Sequence, residues 1–413
     1  MSNEVLNVVW FTNVLSPDLC HKTGVPSNPY GGWLHESSRL LSNKENIKLT
    51  IISPYHKDID IVEVGNISYL TFSHLDKLEE IILKLSPDVV HVYGTELPHS
   101  LKVAKVCSKY SLKSVFSIQG LTTICGRKDC LTSGLPFRVV FGQTLRNIIR
   151  KDSVIGLMSK FKQLAKSEIE TLNLVTNVIG RTQWDRESVF SINPNLNYFH
   201  CNEILRESFY ASEKWSLDSA NKFQIYVSQG HYPIKGLHYM LQALRLVVDT
   251  FPETKLVVGG KNVTNESVKG IAARTKYADY LLELIEEFNL KEHVEFAGEL
   301  AEDGVRKMLL SSHVSVCPST IENSPNSVGE AMILGVPVIA SYVGGVPDLL
   351  IPEKEGLCYP SNSPELLACA IKRVFSDSAL ANELSLSSIL RANKTHSRET
   401  NTETLLSIYR DII

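Results

Sequence analysis

The chain has 413 residues, 43% hydrophobic and 21% charged, with a formal net charge of −3 at pH 7. That length exceeds one ordinary hydrophobic core and sets a prior of two or three domains of roughly 150 residues each. The slightly acidic balance argues against a general nucleic-acid binder, which carries a basic domain.

Met1-Ser-Asn-Glu lacks a basic leader, and no run of about 18 uninterrupted apolar residues occurs. A cytoplasmic location without a membrane span is therefore expected. Eight cysteines are scattered along the chain, with only Cys125 and Cys130 close together. Without a second pair or histidines at ligand spacing, reduced thiols are expected rather than a zinc site.

Short β-branched runs alternate with segments of helical period, the pattern of an α/β protein with parallel sheets covered by helices. Strands are expected at 5–11, 49–53, 89–93, 114–118, 177–180 and 197–200. A polar junction at 203–221 follows, and the series restarts at 223–227, 255–258, 294–296, 314–317 and 338–340. Between the first two strands of that series, Leu237, Met240, Leu241, Leu244, Val247 and Val248 form one apolar helical stripe. Phe251-Pro252 marks its end. The predicted domains are 1–205, 206–392 and a C-terminal closing helix within 393–413 that packs back on the first. Tandem doubly wound domains imply a cleft, with ligands at the carboxyl ends of strands.

The loop with the densest chemistry follows the strand at 314–317 and runs from Pro318 through Glu322, Ser324, Pro325, Asn326 and Ser327 to Glu330. A helix opening at Asn326 or Ser327 offers free backbone N–H groups and a positive dipole end, which suit a diphosphate. Glu330 lies one turn inside that helix, and Glu322 sits in the loop before it.

The stretch Glu322-x7-Glu330-Ala-Met, followed by Gly335-Val-Pro-Val-Ile-Ala and Gly344-Gly-Val-Pro-Asp348, resembles the signature of family 4 retaining glycosyltransferases of the GT-B fold, the bacterial polysaccharide type of group 1. The resemblance implies two Rossmann-like domains facing across a cleft. It places Glu322 by the transferred sugar and Glu330 on the nucleotide ribose. It sets Ser324, Pro325, Asn326 and Ser327 against the sugar and diphosphate.

The turn Ser228-Gln229-Gly230-His231-Tyr-Pro-Ile-Lys235-Gly236 is similar to the family's Gly-Arg…Lys-Gly turn. Lys235 would neutralise the departing nucleoside diphosphate. Gly230 stands where the family has arginine, so Gln229, His231 or the remote Arg181 is the candidate replacement. Backbone near Gly298 is the expected base contact.

In the first half, paired glycines Gly31 and Gly32 permit close approach of backbone to a ligand. The resemblance lays this loop against the donor diphosphate or the acceptor. Thr95 and Glu96, at a strand end, are expected to meet the acceptor, whereas His91 inside the strand is expected to be structural. Gln119 occupies the place of the family's histidine and can position a sugar hydroxyl but hold no charge. Arg181 could bind a phosphate in bidentate fashion or pair with Asp185.

Nine Lys/Arg between Arg127 and Lys166, interleaved with apolar residues, suggest peripheral docking on an anionic membrane. No Asp-x-Asp is expected at a strand end, so metal-independent transfer without a cofactor is predicted. The expected activity is retaining transfer of a hexosyl unit from a nucleotide diphosphate sugar to a glycan hydroxyl, in surface polysaccharide or O-antigen (lipopolysaccharide) assembly. The acceptor would be a glycan or a polyprenyl-diphosphate-linked saccharide. The alternatives are a GT-B epimerase or phosphorylase, or a catalytically weakened sugar-nucleotide-binding subunit.

Overall fold

The structure, a computed structural model, describes residues 5–26, 31–263 and 274–413. Met1–Glu4 and the Pro29-Tyr30 lead into the glycine pair lie outside the described residues. The chain divides into two compact units. One comprises Met1–Thr123, Gln163–Glu207 and His396–Ile413, and the other Ile124–Lys162 and Ser208–Thr395.

The first unit is built on an eight-stranded sheet. Its strands are β1 (Leu6–Phe11), β2 (Ile47–Pro54), β3 (Val62–Val64), β4 (Ile67–Phe72), β5 (Val89–Tyr93), β6 (Ser114–Ser117), β7 (Asn177–Gly180) and β8 (Asn197–His200). They are ordered β3-β4-β2-β1-β5-β6-β7-β8. All pairs are parallel except β3 with β4, a hairpin absent from the sequence expectation. The order reverses between β1 and β5, and such a switch point opens a crevice at the strands' carboxyl ends. Helix α1 (Gly32–Ser42) starts at the glycine pair that follows β1.

The C-terminal helix Arg398–Ile412 belongs to this unit and buries Leu405, Leu406, Ile408, Tyr409 and Ile412 in its core. At about 1.5–3 kcal/mol per buried side chain, packing rather than the intrinsic propensity of a Thr-rich sequence holds it. Its anchor is polar. Trp10 Nε1 donates to Tyr409 Oη at 2.8 Å, and Tyr409 Oη lies 2.6 Å from His91 Nδ1. His91 Nε2 in turn lies 2.7 Å from Ser117 Oγ, so both ring nitrogens are within hydrogen-bond distance of a hydroxyl. Burial pushes the His91 pKa down to about 3, so the ring is neutral and structural.

The second unit contains β9 (Asn221–Val227), β10 (Lys255–Gly259), β11 (Val294–Gly298), β12 (Ser312–Cys317), β13 (Val338–Ser341) and β14 (Leu357–Tyr359), in the order β11-β10-β9-β12-β13-β14. Counted within the unit, this is the 3-2-1-4-5-6 order of a dinucleotide-binding sheet, and it reverses between β9 and β12. Helix α2 (Leu237–Val248) buries Leu237, Met240, Leu241, Leu244 and Val247 of the predicted stripe completely, while Val248 at its end is half-buried. Helices α3 (Lys276–Glu287) and α4 (Asn326–Leu334) follow β10 and β12.

Residues 124–162, expected in the first domain, pack as part of the second unit. Specific hydrogen bonds hold them there. Thr320 Oγ1 donates to the Cys130 carbonyl at 2.8 Å, His238 Nε2 meets the Ser133 carbonyl at 2.9 Å, and Thr144 Oγ1 donates to the Arg274 carbonyl at 2.9 Å. Arg138 pairs with Glu283 on α3.

Candidate functional site

The switch point of the second unit brings together the two loops expected to carry its chemistry. Lys235, beyond β9, places Nζ 2.6 Å from Oε1 of Glu322, beyond β12. Ser319 Oγ donates to the same carboxylate oxygen at 2.7 Å. Both partners are mostly shielded, with 21% and 13% of their side chains exposed. Burial lowers the lysine pKa, but the Glu322 charge and hydrogen bond outweigh it and hold the ammonium above the ordinary lysine value. The ammonium is therefore charged across the physiological range.

Glycines seat this loop. A Cβ on Gly236 (φ +68°) would stand 1.8 Å from the Pro318 carbonyl oxygen, so only glycine lets the lysine turn lie against the strand end. Gly230, in the family's arginine position, backs onto Leu237, and a Cβ there would be 2.4 Å from Leu237 Cδ2. A side chain there would require the buried Leu237 to shift.

Helix α4 starts at Pro325, whose extended backbone caps it without a side-chain hydrogen bond. Val328 N and Gly329 N bond back to the Pro325 carbonyl. The N–H groups of Asn326 and Ser327 precede the intrahelical ladder, as at any helix start. Glu330 follows one turn later and is buried, as is Ser324. Gln229 and His231 line the lysine turn. Burial, then the Lys261 and Lys235 charges, lower the His231 pKa, so it supplies a neutral ring. Gly298 ends β11 with φ +77°, and its carbonyl accepts from Gly260 N at 2.9 Å.

In the first unit, Gly31 caps α1 and Gly32 begins it. A Cβ on Gly31 would be 2.9 Å from Val14 Cγ2. Two expectations need correction. Thr95 is fully buried and donates to Glu168 Oε1 at 3.2 Å, so its hydroxyl is spent inside the unit. Arg181 neither stands free for a bidentate phosphate nor pairs its guanidinium with Asp185. Its guanidinium pairs with Glu203 at 2.6 Å and donates to the carbonyls of Ile118 and Gln119 at 3.0 Å. Asp185 takes the Arg181 backbone N–H instead.

Gln119 Nε2 donates to the same Glu203 carboxylate at 3.0 Å, and Glu203 opens the stretch expected from sequence to be a polar junction. Trp33, Tyr93, Gln119, Arg181, Glu203 and Asn401 line a cavity of about 40 Å³. That volume accommodates roughly two or three water-sized groups. Glu96 lies at the end of the neighbouring strand, one side-chain oxygen buried without a hydrogen-bond partner. Burial, with a smaller contribution from the Glu168 charge, pushes its carboxyl up to about 7.

Among the described residues, no group of three or more His, Cys, Asp or Glu is arranged to hold a metal, and no helix is long and apolar enough to cross a membrane. The Asp58-Ile59-Asp60 stretch lies beyond β2, where Asp58 pairs with Lys77 and accepts from Ser73 N. Cys20, Cys107 and Cys130 are buried thiols.

Residues 210–389 match the family of glycosyl transferases, group 1. An uncharacterized glycosyltransferase of Methanocaldococcus jannaschii is 31% identical over 144 residues, which is 35% of this chain and 33% of that protein. The matched stretch thus spans about a third of that relative's length. A solved sucrose-phosphate synthase from Thermosynechococcus elongatus superposes with a TM-score of 0.72 at 15% identity, over 98% of this chain and 99% of the other. HepE of Anabaena, solved in complex with UDP-glucose, gives 0.68 at 13% identity, over 98% and 100%.

The fold is GT-B. The group 1 match falls on residues 210–389, which hold Lys235, Glu322 and Glu330.

Proposed function

We propose that this chain is a retaining glycosyltransferase that moves a hexosyl unit from a nucleotide diphosphate sugar to a glycan hydroxyl in surface polysaccharide assembly. The observation that carries the reading is the Lys235–Glu322 pair, 2.6 Å apart at the switch point of the group 1 unit and followed in sequence by the start of α4. A fixed ammonium and a helix N-terminus stabilise charge growing on a departing diphosphate. Glu322 orients the sugar and Glu330 accepts from the ribose hydroxyls.

Transfer on one face lets the leaving phosphate take the acceptor's proton, so neither a metal nor a cofactor is required. Gln119 and Glu96 are the groups we assign to the acceptor, a glycan or a lipid-diphosphate-linked saccharide. The UDP-glucose complex of HepE supports testing UDP-sugars first.

The deciding experiment has two stages. Thermal shift against UDP-, GDP-, ADP- and dTDP-sugars identifies the donor through ligand stabilisation. Transfer with that donor is then followed by NMR at the anomeric centre, with and without EDTA. Retained configuration and EDTA resistance are expected, together with loss of transfer in Lys235→Ala and Glu322→Gln. An inverted product overturns the retaining mechanism, and conversion of donor without an acceptor makes the chain an epimerase.

A further inference from the structure

Tyr232, whose ring centroid lies 5.9 Å from Lys235 Nζ, also lines a cavity of about 390 Å³ within the second unit. Of the expected donor residues only His231 borders it. Its volume is within the usual range of small-molecule sites. Val154, Leu157 and Phe161 supply apolar wall, and Lys261, Arg274 and Lys276 supply positive charge.

The described wall carries more cations than carboxylates. The carboxylate on the wall, Asp152, accepts from Arg146 Nε and Asn147 Nδ2, each at 2.8 Å. Among the described residues, none of Lys261, Arg274 and Lys276 makes an ion pair. Arg274 Nε and His231 Nδ1 are buried without a hydrogen-bond partner, a state that native proteins seldom leave uncompensated. The backbone beneath these cations is fixed. The Arg274 carbonyl accepts from Thr144 Oγ1 at 2.9 Å, and Lys276 N donates to Asn147 Oδ1 at 3.0 Å.

A polar phosphate alone would leave the apolar wall without a partner. We infer that the cavity binds an amphipathic phosphate ester, its phosphate between Lys261, Arg274 and Lys276 and its apolar chain along Leu157 and Phe161. The site is read by binding alone.

Titration calorimetry of the full chain with decyl phosphate, below its micelle threshold, and with inorganic phosphate tests the assignment. Decyl phosphate should bind at least tenfold more tightly than inorganic phosphate. Lys261→Ala, at an exposed position, and Lys261→Ala/Arg274→Ala should weaken it progressively, the double variant at least tenfold, with unchanged thermal melts. Phe161→Ala should weaken decyl phosphate only. Equal binding of inorganic phosphate would make this a free-phosphate site and overturn the amphiphile. Displacement by saturating UDP would assign the phosphate to the donor site and overturn it too, as would full affinity in Lys261→Ala. That single variant keeps the test open should the double variant fail to fold.

Discussion

A Cβ on Gly344 would stand 1.9 Å from the carbonyl oxygen of Glu322, so the turn after β13 holds the Glu322 loop by direct backbone approach. Gly345 N donates to that same carbonyl at 3.1 Å. With Gly236 pressed against Pro318 at the other end, the loop is clamped on both sides, and the carboxylate between them meets Lys235. The Gly-Gly-Val-Pro stretch is therefore part of the machinery that aims Glu322.

Gly344→Ala should displace that carboxylate, since φ +51° disfavours alanine and the carbonyl must move. Misplacement by about 1 Å commonly costs roughly 100-fold in rate. Transfer in Gly344→Ala is expected to fall by that order in kcat/KM while circular dichroism stays native. Wild-type activity in a folded Gly344→Ala protein would disprove the clamp.

The Glu322–Glu330 segment was legible because its residues act locally: a loop, a helix start and two carboxylates lie within nine positions. Arg181 was not, because its partner Glu203 joins it only through the pairing of β7 and β8. The β3–β4 hairpin did leave a signal, the two-residue Gly65-Asn66 turn with Gly65 at φ +59°. Such a turn between alternating residues reads as a hairpin. The docking of residues 124–162 on the second unit left none, since hydrogen bonds to backbone carbonyls such as that of Ser133 carry no sequence pattern.

Glu96 gives a pH-dependent test. Its carboxyl, pushed up to about 7 by burial, holds its proton more tightly folded than unfolded. The stabilisation is complete below the ordinary value near 4.5 and is lost as pH rises through about 7. Glu96→Gln mimics the protonated form. It should match wild-type stability near pH 4.5 and exceed it by up to roughly 3 kcal/mol at pH 8, at 1.36 kcal/mol per pKa unit. Urea unfolding at both pH values checks this, and a pH-independent difference would contradict it.

Tyr409→Phe removes one hydroxyl that serves Trp10 and His91 together. The indole N–H and Nδ1 are then buried without partners, at about 1–3 kcal/mol for each group. Chemical denaturation should show a loss of about 2–4 kcal/mol. Donor binding should be unchanged, because the network lies in the other unit from Lys235 and Glu322. A loss below about 0.5 kcal/mol, the usual size of a neutral surface change, would mean that water replaces the hydroxyl.

The exposed face of residues 124–162 carries the membrane expectation. Phe137 and Phe141 are 76% and 50% exposed, and with Leu145, Ile148 and Ile149 they form an apolar surface flanked by exposed Arg150 and Lys151. Arg138 and Arg146 are already paired with Glu283 and Asp152. The remaining cations therefore decide the electrostatics. Near an anionic bilayer each contributes about 1 kcal/mol, so Arg150→Ser/Lys151→Ser should reduce partitioning by roughly 30-fold in a vesicle sedimentation assay. Ile149→Asp should reduce it too, through loss of apolar insertion and added repulsion. Wild-type binding should fall steeply with salt and be weak on zwitterionic vesicles. Equal binding to neutral and anionic vesicles would show that these cations do not select the surface.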